Sequence, residues 1–182
     1  SASGLENPAT HLLIVVFWVC LLRWERDTGK QKDIFPLSLT AALLALNRLD
    51  AVLFVAPVLA ILLYKNANIK TFVRFICGLL PLIAWEVFSL FYYGFPFPNT
   101  YYAKLNTGIP HIKLIGQGLV YFLDSLQRDP LTLTVIFAGI LIALWRSGKA
   151  HEKQLALGNL IYLGYVLWIG GDFMSGRFLT VP

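Results

Sequence analysis

Asp172 and Arg177, near the end of the 182-residue chain, are the first pair of residues whose types suggest substrate binding. They lie in the segment GGDFMSGR, residues 170–177, directly after a long apolar run. An arginine can bind a phosphate through two parallel hydrogen bonds, and the neighbouring glycines allow a tight turn or a close approach to a ligand. An ion pair within the loop would explain both residues without a ligand, and this alternative stays open.

A second cluster combines aromatic rings with a lysine. The segment YYGFPFPNTYYAK, residues 92–104, cannot continue a helix because it contains two prolines and a glycine. Aromatic faces and hydroxyl groups suit a sugar, and a lysine suits a phosphate, which makes Lys104 a candidate phosphate ligand. An aromatic belt at the membrane surface would explain the tyrosines, but it would not explain the asparagine and the lysine. The candidate substrate-binding residues of this segment are Tyr93, Asn99, Tyr101 and Tyr102.

Two shorter clusters, SGLE at residues 3–6 and NRLD at residues 47–50, also stand beside apolar runs. Arg48 and Asp50 are two residues apart, and ionisable residues near membrane depth usually pair or line a functional cavity. A salt bridge, either mutual or to another helix, is the alternative to a binding role. Glu6 precedes the first apolar run, where a glutamate also stabilises a helix N-terminus through the helix dipole.

Membrane helices are the elements that must position these clusters. Hydrophobic residues make up 57% of the chain and charged residues 14%, whereas soluble domains carry roughly 25% charged residues. The net charge of +5 is distributed between apolar runs and forms no single patch, so we expect no nucleic-acid partner. We predict an all-α fold, a polytopic transmembrane helical bundle that forms a single domain over residues 1–182. Its apolar segments cover residues of about 9–23, 34–46, 51–65, 71–92, 131–146 and 154–170.

Two further features concern the polar edges of this bundle. Residues 111–128, HIKLIGQGLVYFLDSLQR, have apolar and polar residues on opposite faces at helical spacing, which predicts an amphipathic helix in the interface plane. Glu86 lies within the fourth apolar segment, at a depth of roughly 9 Å from its outer end. It either faces a polar cavity or pairs with another span, and the sequence does not decide between the two.

The distribution of basic residues predicts the orientation. If six segments cross the membrane, ten of the 15 lysines and arginines lie in the loops of one face. The positive-inside rule makes that face cytoplasmic. All four polar clusters then lie together on the external face.

These four clusters, in this order, resemble the membrane-embedded glycosyltransferases of the GT-C superfamily. The chain is similar above all to bacterial members of the kind represented by the mycobacterial arabinofuranosyltransferases that finish cell-wall arabinan. The tyrosine–proline–asparagine run and GGDFM are the more specific motifs, whereas SGLE and NRLD are weak alone. The resemblance extends over nearly the whole chain. It implies an integral protein of the bacterial cytoplasmic membrane with its active loops on the extracytoplasmic side.

The resemblance also implies an inverting transferase that takes a sugar from a polyprenyl-phosphate donor and passes it to a glycan, lipid or protein acceptor. Residues implied to act in catalysis, by holding sugar or acceptor hydroxyls, are Asp172, Glu6 and Asp50. Residues implied to bind the donor phosphate are Arg177, Lys104 and Arg48. The family's usual base is an aspartate in the first external loop, which would lie upstream of Ser1, so we expect this chain to lack the N-terminal part of a longer module. No residue spacing calls for a transition metal, and we name no cofactor, although some relatives use a divalent cation.

Two other classes of protein remain as alternatives. A transporter or flippase could move a lipid-linked or polar solute through the same cavity, but transporters place ionisable residues near the midplane and often show repeated halves. Glu86 is the one feature that favours the transporter. A non-catalytic membrane scaffold is the third possibility, and it predicts that the external clusters are dispersed in space.

Overall fold

The computed structural model describes residues 6–26, 33–94, 110–146, 148–171 and 177–180, and all regular structure in these ranges is helical. The chain divides into two compact units, Ser1–Pro96 and Phe97–Pro182. The helices of the first unit are α1 Glu6–Arg26, α2 Phe35–Asn47, α3 Val52–Lys65 and α4 Ile69–Tyr93. The helices of the second unit are α5 His111–Arg128, α6 Pro130–Trp145 and α7 Ala150–Ile169. Short 3-10 turns cover Leu49–Ala51 and Arg177–Thr180.

Each predicted apolar segment coincides with a helix, so the all-helical prediction is confirmed for the described ranges. Two helices, Asn7–Arg26 and Ile69–Tyr93, are long and apolar enough to cross a membrane. A third span arises only if Ile112–Arg128 and Pro130–Trp145, which meet at a bend of 110°, are counted as one. The 13 residues of α2 and the 14 of α3 extend for about 20 Å, which is shorter than the roughly 30 Å hydrocarbon core. A bundle of six full spans therefore stays a prediction.

The ends of two helices have clear local causes. The Asn68 side chain accepts a hydrogen bond of 2.8 Å from the Thr71 backbone and caps the start of α4. Gly94, with φ of 74°, ends α4 in the left-handed conformation that glycine tolerates. Asp129 caps α6 by accepting hydrogen bonds from the Thr132 hydroxyl and backbone N–H, and these bonds hold the pKa of Asp129 below its ordinary range.

In the first unit, α2 is the central helix, and it packs against both α1 and α4. Arg74 lies 3.9 Å from Asp33, just before α2, and Gly78 lies against Ser38 in its first turn. Asp33 precedes Ser38 in the chain, and Arg74 precedes Gly78, so the two contacts follow the same order along both segments. The helices α2 and α4 are therefore parallel. The absence of a side chain at Gly78 lets the two backbones approach closely, as small residues do in membrane helix pairs.

In the second unit, α5 packs against α7 through a stripe that differs from its most apolar face. The buried stripe consists of Leu114, Gly118, Tyr121 and Ser125. The predicted apolar face remains largely accessible, with Ile112 81% and Leu119 54% exposed. The amphipathic helix predicted for residues 111–128 is confirmed as α5. Its accessible apolar stripe is suited to hydrocarbon, as in a helix that lies in the membrane interface.

We expect Gly78→Ala to destabilise the first unit by about 1–3 kcal/mol. A Cβ atom at this position would overlap the Ser38 hydroxyl and lie 2.9 Å from the Leu39 nitrogen and the Phe35 oxygen. The matched control is Gly139→Ala, since a Cβ atom there meets no neighbour within 4 Å. Thermal unfolding of the full-length protein in detergent measures both. Equal midpoints for the two variants would contradict the close approach of α2 and α4.

Candidate functional site

The structure describes part of the predicted site. Glu6 and Arg177 are the first residues of α1 and of the final 3-10 turn. Arg48, Asp50 and Tyr93 belong to the first unit, where their side chains can be described. The predicted site residues that lie outside the described ranges are Asn99, Tyr101, Tyr102, Lys104 and Asp172.

Arg48 and Asp50 form a bidentate ion pair. Arg48 donates from Nη2 to Asp50 Oδ2 at 2.6 Å and from Nε to Asp50 Oδ1 at 3.1 Å. Only 9% of the Arg48 side chain and 14% of the Asp50 side chain are exposed. The salt bridge considered from the sequence is therefore present. The roles of these residues in phosphate and hydroxyl binding stay predictions.

The NRLD segment also ties the end of α2 to the start of α1. Arg48 Nη1 donates to the Asn7 side-chain oxygen at 3.2 Å, and the Asn47 amide donates to the Thr10 hydroxyl at 2.8 Å. Thr10 is completely buried. Buried polar groups of this kind need partners, and here the two helix ends supply them for each other. The result is a polar cluster of Asn7, Thr10, Asn47, Arg48 and Asp50 at one end of the first unit.

Tyr93 belongs to a group of exposed aromatic rings in the last turns of α4. Phe88 stacks on Tyr92 with ring centroids 5.4 Å apart, and Tyr92 meets Tyr93 edge to face at 4.8 Å. Tyr93 is 58% exposed. Such a surface suits either the aromatic belt of a membrane protein or the face of a sugar ring, so the predicted substrate role of Tyr93 stays a prediction.

In the second unit, the glycine pair of GGDFMSGR has a packing role. Gly170 and Gly171 have φ of 85° and 74°, a conformation that other residues rarely adopt. A Cβ atom on Gly171 would lie 2.6 Å from the Tyr121 ring. The chain therefore enters the 172–176 segment directly against Tyr121.

The same tyrosine fixes the other end of this segment. The Tyr121 hydroxyl accepts a hydrogen bond of 3.1 Å from the Phe178 N–H, and the Tyr162 hydroxyl donates one of 3.1 Å to the Phe178 carbonyl oxygen. Both tyrosines are buried. The sequence analysis did not identify these tyrosines. Their position in the α5 and α7 helices, away from the aromatic-rich run, gave no signal of a loop contact.

An apolar groove of about 800 Å³ lies among α5, α6 and α7. Its α7 wall includes Leu163, Gly164 and Leu167, and Leu167 is three residues before Gly170. The groove therefore ends about one helical turn from the start of the segment that carries Asp172 and Arg177. Its walls are nearly all hydrocarbon. The remaining lining residues are Leu119, Phe122, Leu123, Leu126, Leu133, Thr134, Phe137, Ala138, Leu141 and Leu160.

Within the described ranges, no three His, Cys, Asp or Glu side chains are grouped as metal ligands. The involvement of a divalent cation stays a prediction.

Comparison with known proteins gives one distant relationship. The chain is 24% identical over 217 residues to a terminal beta-(1->2)-arabinofuranosyltransferase of Corynebacterium glutamicum. That match covers 100% of this chain and 31% of the relative, so the chain spans about a third of the relative's length. No family model and no solved structure matches the chain. The similarity supports a glycosyltransferase-like relationship, in agreement with the apolar helices of a membrane protein.

We expect Tyr121→Phe to loosen the 3-10 turn at Phe178, because the Tyr121 hydroxyl accepts the hydrogen bond of the Phe178 N–H. The substitution keeps the ring but leaves the buried Phe178 N–H without its acceptor, at a cost of about 1–3 kcal/mol. Hydrogen exchange in a peptide covering residues 170–180 should rise, together with a lower midpoint of thermal unfolding. Tyr64→Phe is the matched control because Tyr64 is 86% exposed. Unchanged exchange in the Tyr121 variant would show that this hydrogen bond does not hold the loop.

Proposed function

We propose that the protein is a glycosyltransferase that moves a sugar from a polyprenyl-phosphate donor to a cell-envelope acceptor on the extracytoplasmic face of the membrane. The distant relationship to an arabinofuranosyltransferase supports the transfer of a sugar. The observation that supports a lipid-linked donor is the apolar groove, whose α7 wall ends at Leu167, three residues before the GGDFMSGR segment. A donor of this class needs hydrocarbon walls for its tail and a cation near the mouth for its phosphate.

The second unit supplies the hydrocarbon walls, and its Arg177 is the proposed cation. The groove walls have no charged side chain, so they suit an isoprenoid chain. Arg177 immediately precedes Phe178, whose N–H donates to the Tyr121 hydroxyl, and it belongs to the same unit as the groove. A guanidinium group suits a phosphate because it presents two parallel N–H donors. Lys104 is the second proposed phosphate ligand.

In the proposed reaction, an acceptor hydroxyl oxygen attacks the anomeric carbon of the donor sugar. The bond from that carbon to the phosphate oxygen breaks, and the phosphate leaves with the electron pair. A carboxylate takes the proton of the acceptor hydroxyl as general base, and cations stabilise the charge on the leaving phosphate. Attack opposite the leaving group inverts the anomeric configuration. Asp172 and Glu6 are proposed to hold hydroxyl groups of the sugar or the acceptor.

In the first unit, the proposed contacts are with the sugar more than with the donor phosphate. Arg48 already binds Asp50 through two hydrogen bonds, so a phosphate would have to compete with a buried carboxylate. Arg48 is therefore the weakest of the three phosphate candidates. Asp50 and Tyr93 are proposed to contact sugar hydroxyls and a sugar ring, respectively.

Sugar transfer from a panel of polyprenyl-phosphate sugars tests this function in the full-length protein, reconstituted in nanodiscs. We expect Arg177→Ala to lower kcat/KM by about 100-fold, the usual loss when a group that stabilises developing charge is removed. Asp172→Asn should lower kcat/KM by about tenfold, because it weakens a charge-assisted hydrogen bond to a hydroxyl group. Arg146→Ala is the matched control, since Arg146 is an exposed arginine at the end of α6.

Two results would contradict this assignment in different ways. Transfer that survives both variants would return Asp172 and Arg177 to an ordinary loop ion pair while keeping the enzyme. Counterflow of a lipid-linked sugar in liposomes, with no transfer from any donor, would replace the enzyme with a transporter.

A second test addresses the groove. Gly164 lines it, and a Cβ atom there meets no neighbour within 4 Å, so Gly164→Trp should direct an indole ring into the groove. We expect the KM for a long-chain donor to rise about tenfold, and the KM for a geranyl-phosphate analogue to change little. Gly139→Trp, in open space on α6 and outside the groove lining, is the control. An equal effect on both donors would exclude the groove as the site of the lipid tail.

A further inference from the structure

A cavity of about 420 Å³ lies at the start of α4, and the proposed reaction does not use it. Its lining residues are Ile69, Lys70, Val73 and Arg74. Lys70 and Arg74 are four residues apart, so on a helix they lie on one side, about 6 Å from each other along the axis. Ile69 and Val73 have the same spacing. The cavity therefore combines two cationic side chains with two apolar ones.

The length of α4 indicates where this cavity lies in a membrane. The helix has 25 residues and is long and apolar enough to cross a membrane. It extends for about 37 Å, which exceeds the hydrocarbon core of roughly 30 Å. Because Lys70 and Arg74 belong to the first two turns, they lie where the helix leaves the hydrocarbon and meets the lipid headgroups. The positive-inside rule predicts that this end of α4 faces the cytoplasm.

The two cations are only partly compensated within the protein. Arg74 Nη1 lies 3.9 Å from Asp33 Oδ1, and 41% of the Arg74 side chain and 54% of the Asp33 side chain are exposed. A long contact between exposed groups is weak. Lys70 is exposed and forms no ion pair within the described ranges. The cavity thus keeps a net positive charge that suits an anion.

The apolar side chains beside the cations indicate what kind of anion fits. Ile69 is 73%, Phe72 55% and Val73 51% exposed. A free phosphate ion makes no use of apolar side chains, whereas a phospholipid places its acyl chains directly below its phosphate. The cavity volume equals that of about a dozen water molecules, which is enough for a phosphate that carries a glycerol. Basic pockets at the cytoplasmic ends of membrane helices bind anionic headgroups by this combination of contacts.

We propose that the cavity at the start of α4 binds an anionic phospholipid of the cytoplasmic leaflet. Lys70 and Arg74 bind the phosphate oxygens, and Phe72 and Val73 contact the first carbons of an acyl chain. The bound lipid holds the start of α4 at the membrane surface and is not a substrate. The site belongs to the first unit, whereas the groove proposed for the donor belongs to the second. This inference goes beyond the proposed function and does not depend on sugar transfer.

The test is a titration of the full-length protein in detergent with dioctanoyl-phosphatidylglycerol and with dioctanoyl-phosphatidylcholine, and native mass spectrometry counts the bound lipid. We expect phosphatidylglycerol to bind more tightly, because the choline cation of the other lipid offsets its phosphate. The double variant Lys70→Gln/Arg74→Gln should raise the Kd for phosphatidylglycerol by about fivefold for each cation removed. The Kd for phosphatidylcholine should change little. Lys70→Gln alone, which breaks no described ion pair, should give about a fivefold rise even if the double variant is less stable.

The matched control is Arg146→Gln/Lys153→Gln, since both residues are exposed cations of the second unit on the same predicted face. An equal rise in Kd for this control would mean that net charge alone attracts the lipid, and it would overturn the site. Equal Kd values for the two lipids in the wild type would also overturn it. Displacement of phosphatidylglycerol by an equal concentration of inorganic phosphate would show a site for free anions and contradict the proposed lipid. None of these results depends on whether the protein transfers a sugar.

Discussion

A polar group surrounded by apolar side chains is costly without a partner, and the contacts at the helix ends of both units meet this constraint. In the first unit, the Arg48–Asp50 pair satisfies its own charges and also binds Asn7, which joins the end of α2 to the start of α1. In the second unit, the Phe178 backbone satisfies two buried tyrosine hydroxyls. Each contact fixes the end of a helix or loop that carries predicted site residues.

Close helix approach makes these contacts possible. Gly78 removes the side chain that would separate α4 from α2, and Gly118 does the same between α5 and Leu167 of α7. In lipid, the hydrophobic effect does not drive helices together. Small residues at the contact allow the van der Waals packing that holds the helices together. Gly170 and Gly171 belong to the same set. Gly170 lies against the Leu114 backbone, and Gly171 lies against the Tyr121 ring.

The features that depend on local periodicity could be predicted from the sequence alone. The six apolar runs all became helices, and the amphipathic pattern of residues 111–128 became α5 with the same bounds. Contacts over long sequence distances could not be read from periodicity. The partner of Arg48 at the start of α1 is 41 residues away. Likewise, the packing stripe of α5 contains Gly118, because its missing side chain lets α5 approach the Leu167 backbone of α7.

The two units differ in what their polar groups leave unsatisfied, and this difference bears on function. In the second unit, the hydroxyls of Tyr121 and Tyr162 hydrogen-bond to the Phe178 backbone, while among the described residues an apolar groove lies open between α5, α6 and α7. In the first unit, the charges of Arg48 and Asp50 are paired, while the Glu86 Oε2 atom has no hydrogen bond within the described ranges. An open hydrocarbon surface suits an apolar ligand. The second unit, and not the paired charges of the first, therefore offers walls for the proposed lipid tail.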